Sequence, residues 1–240
     1  MSTLVVMQPT FLPWMGYFAL IHLADDFVIL DDVQFSKQSW QSRNQVNGPN
    51  GPVLLSLPVA RKPSFPLISE AQIADRDLGK EIVARVQGCL GKAPYWELVE
   101  SLLSEGLAHA PQGLQAINVG LIQRLAETLG LSTRFHMASA LGVPGGEKAE
   151  RLLAMSEAVE ADEYLSPVGS AGYLSEGHPF TDEGVRLRFL NFTHPDYAQR
   201  WKPFRSHMSV IDAIAWVGPE ATKALILGGI GEGRRLEELA

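Results

Sequence analysis

Most of the side chains that could do chemistry crowd into one short stretch. From Gln34 to Asn44, Gln34, Lys37, Gln41, Arg43 and Asn44 stand beside Phe35 and Trp40, and the pair Asp31-Asp32 comes just before them. Arginine can grip a carboxylate or phosphate through two parallel hydrogen bonds, and lysine adds a compact charge. The amides of Gln34 and Gln41 offer neutral donors and acceptors that suit sugar hydroxyls. Trp40 could stack on a sugar or a base, or pack into the core. One carboxylate of Asp31-Asp32 could hold Mg²⁺ or act as a general base while the other caps a turn. A side-chain-to-backbone bond in a turn accounts for either aspartate equally well. Asp32 and Lys37 are the catalytic candidates. Gln34, Trp40, Arg43 and Asn44 are candidates for binding substrate. The alternative for the whole stretch is a solvated face beside a hairpin.

Three other places carry candidates. The loop Gln8–Trp14 precedes a helix whose free N–H groups could hold an anion, which puts Gln8 and Trp14 in the substrate-binding set. Its alternative is a proline-stiffened turn with Trp14 and Tyr17 packed inside. The strand–loop–helix shape is like that of nucleotidyltransferases, but no histidine lies between Met1 and Ile21. The run from Ser166 to Tyr173 contains Gly169, Ser170 and Gly172. Glycines let a backbone approach a ligand, and Ser170 could cap a helix facing a phosphate. No Gly-Lys-Ser/Thr follows, so this is not a Walker loop. Gly169, Ser170 and Tyr173 join the binding set, as do Tyr197 and Gln199. His207 and Asp212 could form a base and its orienting partner. Ser209 as the N-cap of a helix with Asp212 at its third position, close to a capping box, accounts for the same residues structurally. No set of His, Cys, Asp and Glu has the spacing of a zinc site.

The elements that must position these residues follow from periodicity. Leu4–Met7 and Phe27–Leu30 are short apolar runs that predict strands, with a helix between them ending near Ala24. Asn47-Gly48-Pro49-Asn50-Gly51-Pro52 predicts the turn of a β-hairpin whose second arm is Val53–Val59. Helical periods run over 77–106, broken near Pro94, and from Pro111 to Leu129, where Gly130 stops the helix. Strands are expected at Thr133–Met137, Asp162–Leu165 and Val185–Phe189, and helices at Glu147–Val159, Ser209–Trp216 and Pro219–Leu227. Alternating strands and helices imply an α/β fold with a mainly parallel sheet. The chain reads as one domain over 1–240, with the helical middle at about 76–131 a candidate insertion. The tail Gly228–Ala240, rich in Gly, Glu and Arg, is expected to fray. In a parallel sheet all strands end on one edge, so the N-terminal and C-terminal motifs should meet around one cleft.

Together these motifs resemble the WbqC-like protein family. The resemblance is carried by Gln8-Pro9, Phe11, Pro13-Trp14 and Gly16-Tyr17-Phe18, by Leu30–Lys37, and by Ser39-Trp40 with Arg43-Asn44. In the C-terminal half it is carried by Tyr164-Leu165-Ser166, Gly169, Tyr173-Leu174, Tyr197, Gln199, Ser209–Asp212 and Gly218–Ala221. It implies a place in bacterial surface-polysaccharide (O-antigen) biosynthesis and transfer of a glycine, another aminoacyl unit or an acyl group to a sugar-containing acceptor. A non-catalytic scaffold of such a pathway and an ATP-dependent adenylating enzyme are the alternatives. The substrate expected is a small molecule or nucleotide-linked sugar with an anionic group. The motifs fix no cofactor and no oligomeric state.

Composition narrows the class. The chain has 240 residues, 46% of them hydrophobic, which is enough for a sizeable core. A net charge of −7 speaks against a nucleic-acid partner, although Lys37, Arg43, Arg61 and Lys62 form a local basic region. Within it, no acidic residue stands between Asp32 and Glu70. Cys89 is the single cysteine, so no intrachain disulfide forms, as in a reducing cytosol. No apolar run approaches the roughly 18–20 residues of a membrane span, and the first residues lack the basic start of a signal peptide. The expected compartment is the cytoplasm, with no membrane insertion.

Overall fold

The computed structural model describes residues 1–60, 66–74, 78–108, 113–146, 148–174, 180, 184–235 and 238, with only the backbone of Tyr173. Its centre is a five-stranded parallel sheet. β1 (Thr3–Met7), β2 (Asp26–Ile29), β5 (Arg134–Met137), β6 (Glu163–Pro167) and β7 (Arg186–Leu190) lie in the order β5-β2-β1-β6-β7. Every neighbouring pair in it is parallel. The two central strands are apolar because both of their faces are covered. Val5, Phe27, Ile29 and Leu165 enter one core. Leu4, Val6, Val28 and Tyr164, alternating with them, enter a second core on the opposite face.

The helix α1 (Met15–Leu23) returns the chain from β1 to β2 and is buried along nearly its whole length. α5 (Lys148–Ala158) covers the other face through Leu152, Leu153 and Met155. The chain builds outward from β1 through β2 to β5, then crosses to the far side of β1 for β6 and β7. The strand order thus reverses between β1 and β6, the kind of place at which open α/β sheets bind ligands, at the strands' carboxyl ends.

The hairpin forms as β3 (Arg43–Gly48) and β4 (Gly51–Ser56), a separate antiparallel pair turning at Pro49-Asn50. α2 (Leu78–Leu90), α3 (Trp96–Leu107) and α4 (Leu114–Thr128) form the helical middle. The break falls at Pro94, as expected. α2 packs on α3 and on the hairpin, and α3 packs on α4. Helix starts near Pro111 and Glu147 were expected; both residues lie outside the described set, and the helices there begin at Leu114 and Lys148. A short helix, α6 (Ala171–Leu174), follows β6, and α7 (Val210–Val217) and α8 (Pro219–Gly229) close the chain, split at Gly218. Gly218 has φ +83°, which explains a glycine between them.

The tail departs from expectation. Gly228 and Gly229 continue α8, and the chain then returns along β7. Arg234 N–H donates to Phe189 O at 2.9 Å and accepts the reciprocal bond at 2.8 Å, while Gly231 N–H donates to Asn191 O. Backbone pairing does not depend on side-chain composition, so a Gly-, Glu- and Arg-rich segment can still be tied down.

Candidate functional site

The loop after β2 runs past the carboxyl end of β1 and then feeds β3. Asn44 holds the two together. It is buried, and its Nδ2 donates to Phe11 O at 3.0 Å and Leu12 O at 2.6 Å. Phe11 N–H donates to Trp40 O at 2.8 Å. From α4, the fully buried Asn118 donates to Pro9 O at 3.2 Å and Gln41 O at 2.7 Å. Gln41 is buried as well, and its Nε2 donates to Oε1 of the exposed Gln8 at 2.8 Å.

On its other side the same loop walls a cavity of about 630 Å³. Lys37, Ser42 and Arg43 line one part of it. Leu55 and Leu57 form an apolar wall, and Glu81, Ile82 and Arg85 enter from α2. Arg85 also donates to Leu54 O at 3.2 Å. The local basic region is therefore real in space for Lys37 and Arg43, and it gains Arg85. It also gains Glu81, an acidic neighbour invisible to a scan of the adjacent sequence. Arg61 and Lys62 lie outside the described residues. Trp40 is 57% exposed at the surface of the loop, and Gln34 is exposed where it bridges to Leu67.

The aspartates after β2 sit elsewhere on the strand edge. Asp31 is fully buried. It accepts Ser139 N–H at 3.0 Å, Ser139 O–H at 2.7 Å and Gln115 Nε2–H at 2.6 Å. It is a tertiary tie, with donors from two distant segments. Asp32 pairs with Nη2 of Arg151, from α5, at 2.5 Å, and its Oδ1 is sealed from solvent without a partner among the described residues. Asp32 does not line the cavity that holds Lys37.

Around the carboxyl end of β6, Gly169 is exposed and Ser170 is buried. The Ser170 hydroxyl lies 2.6 Å from Ser166 Oγ and 2.6 Å from Pro167 O, so it serves the turn. The helix it leads into has only four residues. The side chain of Tyr173 lies outside the described set. Gln8 and Gly169 do share the strand-end edge. Lys37 and Arg43 line the cavity, and Gly169 does not.

The C-terminal motif joins the N-terminal one through a buried polar network. Val210 N–H donates to Pro13 O, and Ser209 N–H to Gln45 O, each at 2.8 Å. Asp212 is fully buried; it accepts Asn47 N–H at 2.7 Å and the Tyr197 hydroxyl at 3.0 Å. Gln199 bonds Tyr197, Asn47 and both backbone groups of Arg205. Tyr197 and Gln199 are thus bonded within the protein. Burial pushes the Asp212 carboxyl up to about 6, against the opposing pull of its donors. The capping box does not form. Ser209 Oγ has no partner among the described residues, and the Asp212 carboxylate turns to the hairpin. His207 is exposed and bonds Ser206 Oγ, not Asp212.

Trp14 is half-buried in an aromatic group. It lies 4.8 Å from His207, 6.0 Å from His194 and 5.6 Å from Phe192, between ring centroids. Burial and the nearby His207 lower the pKa of His194. The Trp14 ring closes over Gly16, where an added Cβ would meet ring carbons at 2.2 Å. Gly16→Ala should therefore lose stability despite the better helix former. Alanine gains about 1 kcal/mol in a helix, and overpacking costs about 1–3 kcal/mol. The expected net loss is up to about 2 kcal/mol by denaturant unfolding, with a changed tryptophan emission as the ring is displaced. A stabilised variant with unchanged emission would contradict this packing.

Sequence reasoning missed Arg85, Glu81, Arg151 and Ser139, which reach their partners from distant helices and turns. Among the described residues no group of three or more His, Cys, Asp and Glu is placed to hold a metal ion. The model of the WbqC-like protein family matches residues 8–224. An uncharacterized protein of Mycobacterium tuberculosis, Rv1507c, is 29% identical over 224 residues, spanning 92% of this chain and 96% of that one.

Proposed function

The chain belongs to the WbqC-like protein family, and from that premise we propose that it is a transferase of bacterial surface-polysaccharide (O-antigen) biosynthesis. It moves an aminoacyl unit such as glycine, or an acyl group, onto a sugar-containing acceptor. The observation that supports this most is the cavity lined by Lys37, Arg43 and Arg85 together with Glu81, in a protein whose net charge is −7. Cations gathered against an apolar wall suit a phosphate or carboxylate attached to a less polar body. The proposed ligand is a small molecule or nucleotide-linked sugar with such an anionic group. Lys37 and Arg43 are the residues on which we place the handling of that group. Asp32 is the weaker catalytic candidate, because a general base needs a reachable lone pair and its unpaired oxygen is sealed beside Arg151.

A cytoplasmic step before export belongs to this reading. No described helix is long and apolar enough to cross a membrane. A second reading, a non-catalytic scaffold, draws on the exposure of Trp40 (57%) and Leu54 (46%).

A thermal-shift screen against nucleotides, nucleotide sugars and amino acids separates the two. A ligand at a hundred times its Kd adds about 2.7 kcal/mol to the folded state, a rise of several degrees. Lys37→Ala should shrink that rise. Flat melting curves against all three classes would favour the scaffold.

A further inference from the structure

We propose that Gln8 determines ligand specificity at the carboxyl ends of β1 and β6, by presenting its side-chain N–H₂ group to an acceptor oxygen of the ligand. That oxygen is a carboxylate, carbonyl or phosphoryl oxygen. The inference rests on the ligand-binding reading above and adds a contact outside the cavity that Lys37 and Arg43 line, which Gln8 does not line.

The polarity of Gln8 follows from a chain of donors and acceptors with one possible direction. A backbone N–H can only donate. Ser36 N–H meets a side-chain atom of Gln41 at 2.9 Å, so that atom is the carbonyl Oε1. The other end of the Gln41 amide is then the N–H₂ group, and it lies 2.8 Å from Gln8. Gln8 must meet a donor with its own carbonyl. Its Nε2, carrying two N–H donors, is left to face outward from an exposed residue.

The relay is rigid at its inner end. Gln41 is 3% exposed, its backbone carbonyl is gripped by Asn118 at 2.7 Å, and Asn118 also grips Pro9, next to Gln8. The amide that sets the polarity is locked, and only the amide that presents it is exposed. Its place is the point where the strand order reverses, which is where α/β sheets bind ligands. Gln41 is on this account a positioning residue, and the same loop carries Lys37 and Arg43 into the cavity.

The test uses two substitutions and two probes, UDP-glucose and glycine, whose pyrophosphate and carboxylate offer acceptor oxygens. In the unliganded protein the Gln8 side-chain amide protons should exchange rapidly with water and those of Gln41 slowly, by ¹⁵N NMR. One probe or both should shift the Gln8 amide resonances. Gln41→Glu still accepts from Ser36 N–H but turns an oxygen to Gln8. Gln8 must then flip, its amide protons become protected, and affinity should fall at least tenfold although the substituted residue touches no ligand. Gln8→Glu, at an exposed position that folding tolerates, places a carboxylate oxygen outward and should lose at least as much.

Protected Gln8 amide protons in the wild type would overturn the proposal, as would resonances that neither probe moves. If a probe loses affinity with Arg43→Ala, keeps it with Gln8→Glu and leaves the Gln8 amide still, this inference falls and the cavity reading stands. If neither probe binds the wild type, the inference falls for both.

Discussion

Asp212→Ala is expected to lower the unfolding free energy by about 2–4 kcal/mol at pH 5. The substitution leaves the buried Asn47 N–H and the Tyr197 hydroxyl without their acceptor. Each orphaned donor costs about 1–3 kcal/mol, partly offset because a buried carboxyl is no longer desolvated. Gln199 loses less, since it keeps Arg205 and Asn47. The pH dependence has a definite sign. The folded-state carboxyl titrates near 6, above its ordinary 3.8, so folding favours the protonated form. That contribution is fully present below pH 3.8 and is lost as pH rises through 6. Its full size is about 3 kcal/mol, of which about 1 kcal/mol is present at pH 5. The gap between wild type and Asp212→Ala should therefore be wider at pH 5 than at pH 7.5. Urea unfolding at both pH values measures it. A gap that widens with rising pH would mean that the carboxylate, rather than the neutral acid, is the form the fold prefers.

Arg43→Ala should weaken ligand binding about ten- to a hundredfold, the loss of a charge-assisted bond of about 1.5–3 kcal/mol. Arg43 is the first residue of β3, paired across the hairpin with Ser56. Its backbone bonds do not depend on the guanidinium, so fold and function separate well here. Arg43→Lys should also bind more weakly, because lysine keeps the charge and loses the two-pronged grip. Calorimetry on whichever ligand raises the melting temperature reads the effect, with circular dichroism as the check on folding. Wild-type affinity in a well-folded Arg43→Ala protein would return the residue to ordinary surface charge.

Much of the scaffold was legible in the sequence, because its strands announce themselves. Leu4–Met7 and Phe27–Leu30 are short continuous apolar runs, the pattern of strands covered on both faces. Asn47–Pro52 gave the hairpin turn through its glycines and prolines. Lys37 and Arg43, grouped by the sequence in the stretch after β2, share a cavity wall. The partners were not legible. Arg85 and Glu81 come from a helix that follows the hairpin, and Arg151 reaches Asp32 across more than a hundred residues. Nothing local marks such pairs. Asp212 shows the opposite failure. Its spacing from Ser209 satisfies a local capping pattern, yet the buried Asn47 N–H outcompetes the helix end for its carboxylate. Asn44, expected to touch ligand, spends its amide on the carbonyls of Phe11 and Leu12.

The return of the chain along β7 bears on self-association. An open sheet has two outer strands, and each is a template on which another chain can pair. Here Arg234 occupies the backbone groups of Phe189, and Gly231 takes the carbonyl of Asn191. The protein's own tail is thereby bonded to this border of the sheet at Phe189 and just beyond its end at Asn191. The opposite border is β5, four residues long, where Arg134 and His136 converge on Asp26. A short strand carrying charge is a poor template. Each border thus carries a feature that opposes pairing with another chain, one through the tail's own hydrogen bonds and the other through shortness and charge.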